Sequence, residues 1–381
     1  MKHLVITLLG LFIVTCDKKE AINNLPVSTN HIEIRVNPLN AKNVDIKSLV
    51  KNHSYLKLEI PDSLYFSSIE KIIFDDGNIY MLDKSNFQDQ ILSFDLEGNF
   101  NFHINRPGRG PGEFETIYDF DIEGKSVLIS TTTGLKFYDK RSGTYLRTIL
   151  NSEKIQIQNF KMMDTNILVA EVGRFKSNIS KKQLRVLNLE KGEVILEAVP
   201  FETHALKGSH SNRYFYNFGD SLSVTPIYDQ TIFRIFKDTL GAYVKPAYEV
   251  NFGEYWVPRD ILAASYKDRG TFFSEIGDYV SIFEAFETDN KMYIHYKYSG
   301  ENYALLYDKK DKDSKNLKLI SNNELGWFGA PVATYKNSIV NTITVQKEAE
   351  YTPRGKKGSF QQFFSSPNEQ NTLVLLFIEL E

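Results

Sequence analysis

The sequence predicts an all-β chain assembled from repeats, and three observations predict it. Aromatic residues make up 13% of the 381 residues, with 27 Phe and 21 Tyr, and such side chains favour pleated, half-buried strands. Short apolar runs are separated by glycine-bearing turns, which are hairpin signals. A unit of about four strands then recurs along most of the chain, and a radial array of four-stranded units is a β-propeller.

The first residues stand apart from that pattern. Met1-Lys2-His3 leads into an apolar run over residues 4–14, after which Asp17-Lys18-Lys19-Glu20 turns the chain polar. The run is about half the ~20 residues of a membrane-spanning helix, and a charged start before a short apolar core is the pattern of a secretory signal. Cys16 is the only cysteine, so no disulfide forms within the chain. Ile13-Val14-Thr15-Cys16 resembles a lipobox, with Thr15 where Gly, Ala or Ser is usual. The expected organisation is a signal peptide over 1–15, a lipidated Cys16 and tether over 16–30, and one propeller over 31–381. That chain is exported and held by its lipid to the cell envelope, with the outer membrane as the expected site.

The net charge is −3, and removing residues 1–15 takes away one lysine and no acid. Nucleic-acid binders show a basic excess or stripe, so none is expected as a partner. The length would suggest two domains, but repeat architectures grow by adding units instead of enlarging one core.

The first unit spans residues 72–104, with turns at Asp75-Asp76-Gly77-Asn78 and Leu96-Glu97-Gly98-Asn99. The second, 118–149, turns at Glu123-Gly124-Lys125 and Lys140-Arg141-Ser142-Gly143. Further units follow at 160–201, 213–252 and 282–320. The last is irregular: 327–335, 338–346 and 372–380 supply three strands around a polar insertion. The unpartnered run Ser54-Tyr55-Leu56-Lys57-Leu58-Glu59-Ile60 is expected to supply the fourth. It closes the ring, removes the exposed edges and brings the count to six blades. One helix is expected over residues 259–266, after Pro258.

At 105–114 the chain reads Asn-Arg-Pro-Gly-Arg-Gly-Pro-Gly-Glu-Phe, shortly after Asp95-Leu96-Glu97-Gly98-Asn99. Together with Ser211-Asn212-Arg213-Tyr214-Phe215 and the stretches Asp220-Ser221-Leu222 and Pro226-Ile227-Tyr228-Asp229, this resembles the six-bladed propeller lipoproteins related to the TolB-like and NHL-repeat families. The resemblance implies a fold and an envelope location, not an activity.

Propellers bind at the channel mouth, on the face that carries the links between blades and the loops between middle strands. Candidate ligand contacts there are Arg106, Arg109 and Glu113 in the glycine-rich loop. His210, Arg213 and Tyr214 form a second group, and Trp256, Arg259 and Trp327 lie in the later links. Arginine grips carboxylate or phosphate through two parallel hydrogen bonds, and tryptophan is frequent at binding hot spots. The plainer reading of the glycine loop is a corner between blades whose charges pair with one another. For Trp256 and Trp327 it is a plug between blades. The loop is no P-loop, since Lys-Ser or Lys-Thr is missing. His204 and His210, six apart, do not have a helical metal-ligand spacing.

No cofactor is expected, and no Gly-x-Ser-x-Gly elbow is present. The leading expectation is therefore a non-catalytic envelope lipoprotein that recognises a glycan, a peptide or an envelope protein. The alternative is a calcium-dependent lactonase or esterase with oxygen ligands converging in the central channel. Asp229, Asp289 and Asn290 are among its possible donors.

Overall fold

The computed structural model describes residues 31–381 apart from 85–87, 151–156, 172–181, 201–214, 239–240, 265–268, 321–323, 327–329 and 346–371. The signal segment, Cys16 and the tether therefore lie outside the described residues.

Six antiparallel four-stranded sheets form the blades. Blade one is Ile69–Asp75, Asn78–Asp83, Gln90–Asp95 and Phe100–Ile104. Blade two is Ile117–Glu123, Ser126–Thr131, Gly134–Asp139 and Tyr145–Leu150. Blade three is Phe160–Met162, Ile167–Glu171, Lys182–Asn188 and Glu193–Pro200. Blade four is Phe215–Phe218, Ser221–Val224, Thr231–Asp238 and Gly241–Asn251. Blade five is Phe283–Glu287, Lys291–Tyr298, Glu301–Asp308 and Asp313–Ile320.

Blade six joins Ala333–Tyr335, Ser338–Val345 and Thr372–Leu380 to Val50–Leu58 from the start of the chain. The closing strand pairs antiparallel from Val50↔Leu380 to Leu58↔Leu373. The expected six-bladed ring closed by an N-terminal strand is thus the observed one, with the closing strand starting four residues earlier.

The blades are hydrophobic on both faces because each packs against two neighbours. In the second strand of blade one, Ile79 and Met81 face blade six while Tyr80 and Leu82 face blade two. Side chains alternate across a strand, so one apolar run serves two seams. Each of the six seams holds one apolar cluster of its own.

Two strands were not expected. Ile32–Arg35 pairs in parallel with the outer strand of blade four, and Lys42–Asp45 does the same on blade five. The start of the chain is thus a belt that runs outside two blades before it closes the sixth. On blade four, belt pairing begins at Tyr248, two residues beyond Pro246, which has no N–H to give. A helix at Arg259–Ala264 falls where one was expected, and a second follows at Arg269–Ile276. The second has a weak helical sequence with an internal Gly270. Burial of Phe272 with Leu262 and Val257 in the seam of blades three and four holds it.

In an antiparallel blade, links to the next blade and connections between second and third strands share one end, here the upper face. Turns between first and second strands, and between third and fourth, lie on the lower face.

Candidate functional site

A cavity of about 220 Å³ lies on the axis, lined by Lys71, Lys161, Tyr216, Ala285 and Ala333 among others. The first strand of every blade has a free edge here, and its N–H groups need acceptors. In blade two the sequence Asp119-Phe120-Asp121 places two carboxylates on one face of a strand. Asp119 accepts from the N–H of Phe160 at 3.0 Å and Asp121 from that of Met162 at 2.8 Å. The spacing of two matches the alternation of free N–H groups along the edge of blade three.

Each carboxylate also meets an ammonium. Lys71 donates to Asp119 at 2.7 Å and to the Phe120 carbonyl at 2.8 Å, and Lys161 donates to Asp121. Burial pushes the Asp119 carboxyl above the usual carboxylate range, against the pull of Lys71 and the backbone N–H groups. These acids are therefore fully engaged in holding blades one, two and three together.

Between blades four and five, Glu287 takes two cations: Arg234 at 2.5 Å and Lys309 at 2.6 Å. The Phe218 ring lies beneath both, 4.5 Å from the guanidinium and 3.7 Å from the ammonium, so its negative face supplies what one carboxylate leaves unmet. Burial lowers the Lys309 pKa. Burial acts against the Arg234 charge as well, but the Glu287 hydrogen bond keeps its pKa raised.

The glycine-rich loop links blades one and two on the upper face. Glu113 folds back so that its carboxylate accepts the Gly110 N–H at 2.8 Å. A Cβ on Gly108 would sit 2.2 Å from that carboxylate, at a φ of +143°. The loop closes through Phe114 N–H to Arg106 carbonyl at 2.8 Å, and the Tyr138 hydroxyl donates to the Gly112 carbonyl at 2.8 Å. Arg109 pairs with Glu115 at 2.8 Å, both exposed. The plainer reading thus describes Arg109, whose charge pairs with Glu115, and Glu113 braces the backbone of its own loop. Arg106 projects from the loop, exposed.

Trp256 stacks on Phe252 with ring centroids 5.7 Å apart and meets Phe283 edge-on. It packs in the seam of blades four and five instead of presenting its face to solvent. Arg259 begins the first helix, exposed. His204, His210, Arg213, Tyr214 and Trp327 lie outside the described residues. Asp229 sits in an upper-face loop of blade four, whereas Asp289 and Asn290 form a lower-face turn of blade five. Those three are at opposite ends of the ring and do not form one donor set. Among the described residues, no three His, Cys, Asp or Glu side chains gather closely enough to hold a metal ion.

A family model described as a domain of unknown function, DUF4934, matches residues 29–377. The chain belongs to the DUF4934 family. No curated protein matches the DUF4934 chain. Among solved structures, a candidate exported protein of Bacteroides fragilis NCTC 9343 superposes with a TM-score of 0.73 at 18% identity, covering 92% of this chain and 100% of that one. The N-terminal domain of Nup159 gives 0.41 at 12% identity, over 85% and 79% of the two chains. The Neurospora crassa Pan2 WD40 domain gives 0.38 at 12%, over 81% and 89%. The first likeness establishes a common fold, and the other two are too distant to carry an argument. The family match is to DUF4934; of the expected resemblance to TolB-like and NHL-repeat lipoproteins, the six-bladed ring is the part that stands.

Sequence reasoning on the DUF4934 protein missed Lys71, Asp119, Asp121, Lys161, Arg234, Glu287 and Lys309. A signal existed for two of them: Asp119 and Asp121 interrupt the apolar run 117–122 at a period of two. Acids at that period inside a buried strand call for buried partners.

Proposed function

We propose that this is an exported lipoprotein of the cell envelope that binds a ligand or partner protein on the upper face of its propeller without transforming it. The observation that carries the reading is a division of labour among charges. Asp119, Asp121, Glu287 and Glu113 are committed to bonds within the chain. Arg106 stands exposed on a loop fixed by Glu113 and Tyr138, and Arg109 beside it is exposed as one half of a surface pair with Glu115. Rigid loops on a stable scaffold favour recognition, and guanidinium groups select a carboxylate-bearing glycan, peptide or protein surface. A lactonase of the calcium type needs several free oxygen donors at one point, and the axial carboxylates here already accept from lysines and backbone.

The proposed attachment is through acyl chains on Cys16, in a TolB-like or NHL-like envelope role. No helix among the described residues is long and apolar enough to cross a membrane. Two measurements test the proposal. Cys16→Ala should move the protein from the membrane fraction to the soluble one; retention in the membrane would refute the lipid anchor. An Arg106→Ala/Arg109→Ala double variant should bind an array of acidic glycans and peptides at least about tenfold more weakly with its melting temperature unchanged. Equal binding by variant and parent would move recognition away from this loop.

A further inference from the structure

Three seams are closed on the lower face by a lysine at or just beyond the end of a blade's third strand. Lys140 of blade two pairs with Asp75 of blade one at 2.7 Å. Lys237 of blade four pairs with Asp164 of blade three. Lys309 of blade five lies over Phe218 of blade four, 3.7 Å from the ring centroid. Lys140 and Lys309 even share a backbone contact, donating to the carbonyls of Lys125 and Asn290. In blade six the residue just beyond the third strand is Glu381.

At that seam, between blades five and six, a half-open cleft of about 340 Å³ takes the place of the plug. Its walls are Phe286, Tyr293, Leu306, Ile339 and Ile378. Tyr293 is 3% exposed, and its hydroxyl has no hydrogen-bond partner among the described residues. At the rim, Lys51 pairs with Glu379 at 2.6 Å, and Lys291 stands opposite Asp308 in the strand register. Glu381, also in the lining, makes no ion pair among the described residues.

We propose that this cleft binds a small amphipathic cation, an ammonium or guanidinium on an apolar stem about as long as that of lysine. The cation takes the place that lysine holds in three of the other seams and meets Glu381. Its stem covers the Leu306, Ile339 and Ile378 side chains, and the Phe286 and Tyr293 rings offer their faces to the charge. The site is on the lower face, distinct from the upper-face loops.

The test titrates the purified protein with n-pentylammonium chloride, following melting temperature and saturation-transfer NMR, with n-pentanol and sodium pentanoate as matched neutral and anionic probes. Saturable binding with a dissociation constant on the order of 1 mM is expected for the amine, about fivefold or more weaker for the alcohol, and none for the acid. Glu381→Gln should weaken amine binding about fivefold. Glu381→Lys should abolish it and raise the melting temperature without any ligand, because it restores the plug. Nα-acetyl-lysine methylamide forms a second arm: tighter binding than pentylammonium assigns the cation to a partner's side chain, and weaker binding to a free amine. Equal responses to amine and alcohol, full binding by Glu381→Lys, or no saturable response would overturn the proposal.

Discussion

The seam between blades two and three and the seam between blades five and six are built from the same strands in the same order, yet they differ in how they end at the axis and the lower face. In the first, Asp119 and Asp121 cap the free N–H groups of Phe160 and Met162, and Lys71 and Lys161 neutralise them. In the second, the first strands carry the small residues Ala285 and Ala333, and a cleft remains at the lower mouth. Propeller blades share their apolar cores, so a ring tolerates differences in polar closure from seam to seam. One seam can thus be rigid while another keeps space for a guest.

The largest test of this contrast is Asp119→Ala. It leaves the Lys71 ammonium and the Phe160 N–H buried without their partner, and removal of one member of a buried ion pair costs about 3–5 kcal/mol. Urea unfolding should show that loss; a cost below about 1 kcal/mol would mean that the carboxylate ladder does not hold the seam.

A smaller effect is expected from Gly112→Ala, where the added Cβ would lie 2.5 Å from the Tyr145 ring at a φ of +74°. Crowding a packed site costs about 1–3 kcal/mol. A variant as stable as the parent would show that the glycine-rich loop yields easily, and would weaken its reading as a rigid platform.

The smallest effect belongs to the turn aspartates. The Ser142 hydroxyl and N–H, with the Arg141 N–H, hold the Asp139 carboxyl below its usual range; Asn99 does the same for Asp95, and the Asp311 and Lys310 N–H groups for Asp308. A carboxyl with a lowered folded pKa contributes stability above its unfolded pKa of about 3.9 and loses it as pH falls through the folded value. The melting temperature should therefore fall on the acid side of about pH 4, and less steeply in Asp139→Asn. Identical slopes would show that these turns contribute nothing to acid sensitivity.

What the residues determined by themselves was everything that rests on local periodicity and turns. The repeats at 72–104 and 118–149, the Asp-Asp-Gly-Asn and Glu-Gly-Asn turns, and an N-terminal strand in search of a partner were enough to specify six blades and their closure, because alternation and turn chemistry act over a few residues. The tertiary structure alone decided the belt of Ile32–Arg35 and Lys42–Asp45, which pairs with strands more than two hundred residues away. It also decided the roles of the charges. Glu113 and Arg106 look alike as loop residues and both are exposed, and only the fold turns the first back onto the Gly110 N–H of its own loop. Glu381 likewise acquires its meaning from standing where three other blades carry lysine, a relation that exists across a seam and nowhere along the chain.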